Sequence, residues 1–295
     1  MENATPIEVE LKLALAPPGV EALKHHPLLA GSAPLTQTLA NRYFDTPDDA
    51  LARARIAVRL RQVDTQVLQT VKTAGQGGGG LSSRQEWEWP VKSAELDQQG
   101  LAALPPFQGA LGAQLDQLTP RLRTDFTRRS WQLDWQGSHI ELVLDQGEIE
   151  SGAYTTPICE VELELKDGSS EALWSLALAL AEHVPLRPSD SSKAARGAAL
   201  RAQQWPLPNA QTPGQWLHRA TLALDAFHDS KDSTYLKDAR EALEQLASHP
   251  ALADDLKALA GRLPGALDDD GQPSTAYGVT LLTLSHRLAL QSALS

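Results

Sequence analysis

The segment Glu8-Val9-Glu10-Leu11-Lys12-Leu13 alternates a charged with an aliphatic side chain at every step. Successive side chains of a β-strand point to opposite faces, so such a stretch puts its charges on one side and its aliphatics on the other. Arg59 and Arg61 stand opposite Val58 and Leu60, and Arg84, Glu86 and Glu88 opposite Trp87 and Trp89. Glu141, Val143 and Asp145 share a face, as do Glu160, Glu162 and Glu164, the latter opposite Val161, Leu163 and Leu165. A sheet of such strands either turns its charges to solvent around an aliphatic core or encloses them and covers its aliphatics with helices. The stripe Leu173, Trp174, Leu176, Ala177 and Leu180 has helical spacing and needs an apolar partner, which the outside of a barrel supplies. That favours enclosed charges.

Period-two runs place strands at about 7–15, 37–45, 56–63, 66–73, 82–90, 126–135, 138–146 and 158–166. Short links such as Asp64-Thr65 and Gln136-Gly137-Ser138 make the neighbours antiparallel hairpins. The expected fold is α+β: an eight-stranded antiparallel β-barrel with helices from 17–30, 94–119 and 171–183 packed outside it. A proline-rich stretch, 205–213, reads as a linker, because proline fixes φ and removes a backbone donor. It separates a barrel domain, 1–204, from a small all-α region, 214–295, where Trp216, Leu217, Ala220, Leu224 and Phe227 form one apolar stripe and Leu236, Ala239, Leu243 and Leu246 another.

With 26 Lys+Arg against 37 Asp+Glu, the net charge of -11 disfavours duplex nucleic acid and anionic membrane surfaces as partners. No apolar run approaches the roughly 18 residues of a membrane helix, and the first residues lack a secretory pattern. The single cysteine, Cys159, excludes an intrachain disulfide and a cysteine-based zinc cluster. The expected location is cytoplasmic. Enclosed carboxylates about 4 Å apart repel by roughly 4 kcal/mol per pair at an effective dielectric near 20. Mg²⁺ or Mn²⁺ relieves that repulsion and bridges phosphate oxygens, while Arg and Lys take the remaining phosphate charge. Such a lining suits a linear polyphosphate.

Glu8-x-Glu10-x-Lys12 resembles the ExExK signature of the CYTH superfamily, the triphosphate tunnel metalloenzymes. It is followed in order by Tyr43-Phe44-Asp45-Thr46-Pro47, Arg59-Leu60-Arg61, Gln69-Thr70-Val71-Lys72, Arg84-Gln85-Glu86-Trp87-Glu88, Arg128-x-x-Trp131, Glu141-x-x-x-Asp145-x-Gly147, Glu160-x-Glu162-x-Glu164 and Ser192-Lys193-x-x-Arg196-Gly197. The set is most similar to the bacterial inorganic triphosphatase branch and covers about residues 5–203. The resemblance implies an eight-stranded tunnel, with Glu8, Glu10, Asp145, Glu160 and Glu162 as ligands to Mg²⁺ or Mn²⁺. It gives Lys12, Arg59, Arg61, Lys72, Arg128 and Lys193 to substrate phosphates, and Lys72, Glu86 and Glu88 to the catalytic group, with Glu86 and Glu88 orienting water, contacting a second metal or pairing with the cations. The implied reaction is hydrolysis of inorganic triphosphate to pyrophosphate and phosphate. Thiamine triphosphatase, a class IV adenylyl cyclase-like activity and a non-catalytic polyphosphate- or nucleotide-binding module are the alternatives.

Other features have plainer expectations. Arg53, Arg55 and Arg129 read as rim or surface cations, Glu164 as a solvated strand end, and Asp45-Thr46-Pro47 as a capped turn. Gly75-Gln76-Gly77-Gly78-Gly79-Gly80 lacks the Lys-Ser/Thr of a phosphate loop and reads as a flexible hairpin connection. Asp268-Asp269-Asp270-Gly271 lacks the later ligands of a calcium loop and reads as a solvated turn. Residues 214–295 are too few for the helical CHAD domain that follows the tunnel in related triphosphatases, and His218, His228, His249 and His286 lack ligand spacing. The region is expected to pack on the tunnel or to mediate a homodimer, and no site residue is assigned to it.

Overall fold

The alternating Glu8–Leu13 segment lies within a strand whose closure on two neighbours defines the architecture. In the computed structural model, which describes residues 7–293, the chain runs β1 (Ile7–Leu15), α1 (Pro17–Lys24), β2 (Leu35–Asp45), α2 (Ala50–Arg53), β3 (Ala57–Val63), β4 (Gln66–Lys72), β5 (Gln76–Gly78), β6 (Leu81–Val91) and α3 (Gln98–Ala103). It continues through β7 (Thr119–Trp135), β8 (Ser138–Ser151), β9 (Tyr154–Asp167), α4 (Glu171–Ala181), β10 (Leu186–Pro188), α5 (Lys193–Ala202), α6 (Pro213–Ser230), α7 (Ser233–Ser248), α8 (Asp254–Ala260) and α9 (Thr275–Ala293). Residues 1–6 and 294–295 of the two expected regions lie outside the described residues.

Around the barrel the order is β1-β9-β8-β7-β2-β3-β4-β6, and antiparallel pairing of β6 with β1 closes the ring of eight strands. The eight expected strands are these eight. Closure removes the unpaired edges that an open sheet exposes. The register places Lys12 opposite Glu162 and Glu8 opposite Arg84, so charged residues meet on one face while Leu11 meets Leu163 on the other.

That other face is outside. Leu11, Leu13, Ile140, Leu142, Leu144, Val161 and Leu163 pack under Leu173, Trp174, Leu176 and Leu180 of α4, all buried. Burying each such side chain contributes about 1.5–3 kcal/mol, so this layer fixes the strand faces. A one-residue slip would reverse them.

Two short strands extend the sheet beyond expectation. β10 pairs with the end of β1, and β5 pairs with the start of β6. The glycine-rich segment is thus the expected hairpin connection, with Gln76, Gly77 and Gly78 paired to Ser83, Ser82 and Leu81. Gly80, at φ +91°, accepts a bond from Lys12 N through its carbonyl and donates its own N–H to Asp190 Oδ1. A Cβ there would stand 2.7 Å from the Lys12 carbonyl oxygen.

Residues 205–212 form no helix or strand, and α6 starts at Pro213 with a capping box between Thr212 and Gln215. α6 to α9 bury a second core around Leu217, Leu224, Leu243, Leu256, Tyr277 and Leu281. α9 serves both cores, since its Leu282 packs into the layer under α4. No helix among the described residues is long and apolar enough to cross a membrane.

Candidate active site

The inner faces of the barrel strands line a cavity of about 1090 Å³. β1 contributes Glu8, Glu10 and Lys12, β3 Arg59 and Arg61, β4 Thr70 and Lys72, and β6 Arg84, Glu86 and Glu88. Arg128 enters from β7, Glu162 from β9 and Lys193 from the first turn of α5. The barrel order sets β3 opposite β9, so Arg59 and Arg61 face the acidic strand across the tunnel.

On the acidic wall, Lys193 Nζ lies 2.7 Å from Asp145 Oδ2, 2.5 Å from Glu160 Oε1 and 3.1 Å from Glu162 Oε1. Arg128 clamps Asp145 with two bonds, at 2.8 and 2.7 Å, and reaches Glu162 at 2.9 Å. Burial by itself would raise the Asp145 and Glu162 carboxyls, but Lys193 and Arg128 hold both below the ordinary carboxylate range. Burial likewise opposes the charge on Lys193, and the three carboxylates override it, keeping the ammonium protonated.

Asp145, Glu160 and Glu162 each offer an oxygen within 4.8 Å of the others, and together they form a group able to hold a metal ion. An all-oxygen set of this span fits a hard dication with ligands at roughly 2.0–2.1 Å. Glu8 and Glu10, expected in the same ligand set, are paired with basic side chains, as Asp145, Glu160 and Glu162 are with Lys193 and Arg128. Arg84 Nε meets Glu8 at 2.8 Å and its Nη2 pairs with Glu10, while Lys72 Nζ reaches Glu8 at 2.8 Å and Glu86 at 3.1 Å. Lys12 stands 3.7 Å from Glu10. Burial would raise Glu8, but Lys72 and Arg84 hold it far below its usual range, whereas burial, reinforced by Glu8, raises Glu86.

The basic wall is less compensated. Arg59 lies 3.9 Å from both Glu86 and Glu88, and Glu88 accepts a bond from Thr70 Oγ1 at 2.8 Å. Arg61 donates from Nε to Asn41 Oδ1 at 2.9 Å and forms no ion pair among the described residues. Burial, then repulsion from Arg59 and Arg128, pulls its guanidinium down to about 10, still protonated at neutral pH. A cation in this state gains most from an incoming anion.

Residues 6–198 match the CYTH domain. This chain belongs to the CYTH family. Over 207 residues it is 36% identical to the inorganic triphosphatase of Haemophilus influenzae, an alignment covering 70% of this chain and 58% of that protein's length. The chain thus spans less than two thirds of this CYTH relative. A solved Hippeastrum structure described as revealing a dominant triphosphatase activity is 23% identical, with 68% of this chain and 98% of that one covered at a TM-score of 0.49. A Pyrococcus horikoshii structure is 20% identical, with 63% and 96% covered at 0.43.

Among the residues of this CYTH tunnel without an expected role, Arg84 is the main addition. Its signal was its place on the same strand face as Glu86 and Glu88. Arg196 lies three residues after Lys193 on α5, so it falls on nearly the same helix face, and its Nη1 is 3.6 Å from Glu160 Oε2. Glu164 pairs with Lys166 at 2.6 Å, and both line the cavity. Arg129 points outward and bonds Gln146, and Arg53 is an exposed partner of Asp48. Asp45 caps the turn after β2, accepting from the backbone N–H groups of Thr46, Leu51 and Ala52.

Proposed function

We propose that the tunnel binds inorganic triphosphate and hydrolyses it to pyrophosphate and phosphate. The observation carrying this reading is that Arg61, which forms no ion pair among the described residues, lines the same cavity as Glu162 of the carboxylate group Asp145/Glu160/Glu162. A linear polyanion in this cavity would meet Arg59, Arg61 and Lys72, and a dication held by Asp145, Glu160 and Glu162 would offset the negative charge of those carboxylates. The family match and the inorganic triphosphatase relative support the same reading. Mg²⁺ or Mn²⁺ bound by Asp145, Glu160 and Glu162, with Glu8 and Glu10 nearby, would supply charge neutralisation at the phosphate oxygens.

The chain's own residues bind and orient. Arg59, Arg61, Arg128, Lys12 and Lys193 hold the phosphates, and Lys72 stands between Glu8 and Glu86 to meet the terminal one. Glu86 and Glu88 orient the attacking water. Water adds to the terminal phosphorus and the bridging P–O bond breaks, so triphosphate and one water become pyrophosphate and phosphate. The fixed guanidinium forks stabilise the charge that builds on the phosphoryl oxygens. Incubating the full chain with tripolyphosphate, thiamine triphosphate and ATP under Mg²⁺ or Mn²⁺, and measuring released phosphate, tests the reading. No release from tripolyphosphate with either metal rejects it.

A further inference from the structure

Two buried acids of α6 reach back to the tunnel. Asp225 accepts bonds from Arg187 Nη1 at 2.6 Å, Ser189 Oγ at 3.0 Å, Asp190 N at 3.2 Å and Ser191 N at 3.1 Å. The turn it holds is the one that carries the basic residues. Ser189 N donates to Lys12 O, Lys12 Nζ reaches Ser191 O, and Ser192 caps α5, whose first residue is Lys193. Asp190 adds a bond from Gly80 N, and Gly80 in turn accepts from Lys12 N. One α-helical turn beyond Asp225, Asp229 accepts from Thr156 Oγ1 at 2.9 Å and from Arg196 Nε and Nη2, at 3.0 and 2.6 Å. Arg196 is thereby suspended between Asp229 and Glu160.

We propose that Asp225 and Asp229 are positioning residues for the tunnel, setting through the 187–191 turn and through Arg196 where Lys12, Lys193 and Glu160 stand. The charge of Asp225 is sustained against burial by Arg187 and by the turn's donors. Two consecutive backbone N–H groups and a hydroxyl converging on one carboxylate leave the turn little freedom, because charge-assisted bonds are about twice as strong as neutral ones. Lys193 and Lys12 sit within a few bonds of those donors, so an uncompensated turn shifts both ammonium groups together. The proline-rich boundary at 205–213 then marks a change of architecture but not the end of the machinery.

The inference rests on the triphosphate reading of the tunnel, and its test separates the two. In the full chain, Asp225→Asn and Asp229→Asn keep the acceptor oxygen and remove the charge. Each is expected to raise KM for tripolyphosphate and to lower kcat/KM about tenfold to a hundredfold, the cost of an ångström-scale misplacement. A mere fold defect would reduce the active fraction and leave KM unchanged. In a Lys193→Ala background, Asp225→Asn should cost several-fold less kcat/KM than it does in wild type, the remainder being carried by Lys12, since residues acting as one unit are not additive. The same cycle read as the Mn²⁺ dissociation constant needs no hydrolysis, so it stands even if tripolyphosphate is not the substrate. Should Asp225→Asn fail to fold, Asp229→Asn and Ser189→Ala decide. Wild-type KM in the folded variants, or losses that add in full to that of Lys193→Ala, overturns the proposal.

Discussion

Lys193 Nζ stands 2.7 Å from Asp145 Oδ2, at the point where Glu160 and Glu162 also converge. The ammonium thus occupies the centre of the carboxylate group and supplies the positive charge that a dication would bring. Under the proposed reading, a metal ion held there would displace the Lys193 ammonium toward the cavity, where a substrate phosphate would receive it.

Removing that competitor should strengthen metal binding. Lys193→Ala is expected to bind Mn²⁺ about tenfold more tightly, a modest part of the roughly 4 kcal/mol repulsion per carboxylate pair left uncompensated. Turnover of tripolyphosphate should fall in the same variant. Titration calorimetry without substrate checks the first statement, and unchanged or weaker Mn²⁺ binding contradicts it.

Chelation should silence the proposed hydrolysis. EDTA is expected to abolish phosphate release, excess Mg²⁺ or Mn²⁺ to restore it, and Glu162→Gln or Glu10→Gln to lower turnover while the circular dichroism stays that of the native barrel. Full turnover in metal-free buffer would exclude the metal-dependent reading.

Arg61 gives the cleanest probe of anion binding, because among the described residues it forms no ion pair whose loss would strand a carboxylate. Arg61→Ala should lower kcat/KM for tripolyphosphate about tenfold to a hundredfold, the worth of one charged hydrogen bond of roughly 1.5–3 kcal/mol. Its melting temperature should stay within a few degrees of wild type. Inorganic triphosphate should also outperform ATP and thiamine triphosphate in kcat/KM, since an organic group leaves part of the cation lining unused. Equal values across the three substrates would contradict that preference.

The contact between α6 and the tunnel should depend on pH through His218, whose Nδ1 lies 2.6 Å from Asp190 Oδ2. The bond to Asp190 raises the imidazole above its ordinary value against burial, and Arg55 opposes while Asp225 adds to the rise. The stabilisation is fully present below the unfolded-state pKa near 6.5 and is lost as pH climbs through the higher folded-state value. Thermal melts of wild type and His218→Gln should therefore differ near pH 6 and converge by about pH 9. A constant gap across that range would contradict the assignment.

The outer layer should dominate stability. Trp174 of α4 is 2% exposed against the barrel's outer face and stacks on His286 of α9. Trp174→Ala is expected to cost about 3–5 kcal/mol, read by urea unfolding.

Most of the barrel was written in period two. Because side-chain direction alternates along a strand, Glu8, Glu10 and Lys12 had to share a face whatever lay around them, and the same held for Arg59 with Arg61 and for Glu160 with Glu162. The apolar stripe of 171–181 pointed to which face was outside. Short links likewise made the strands antiparallel. These are local properties, set by backbone geometry and by residues a few positions apart.

Which charges meet was decided only by closure. Pairing β6 with β1 brought Arg84 against Glu8 and Glu10, a contact that alternation along either strand could not show, and ring order left Asp145, Glu160 and Glu162 around Lys193. A strand's sequence names the side chains on its inner face but carries no information about the strand opposite, which is chosen by ring order and register. The role of α6 was hidden for the same reason. Asp225 and Asp229 sit on an ordinary amphipathic helix, and their meaning comes from Arg187 and Arg196, more than 30 residues earlier in the chain. Burial makes those pairings consequential, since a charge removed from water must find its partner wherever the fold has put it.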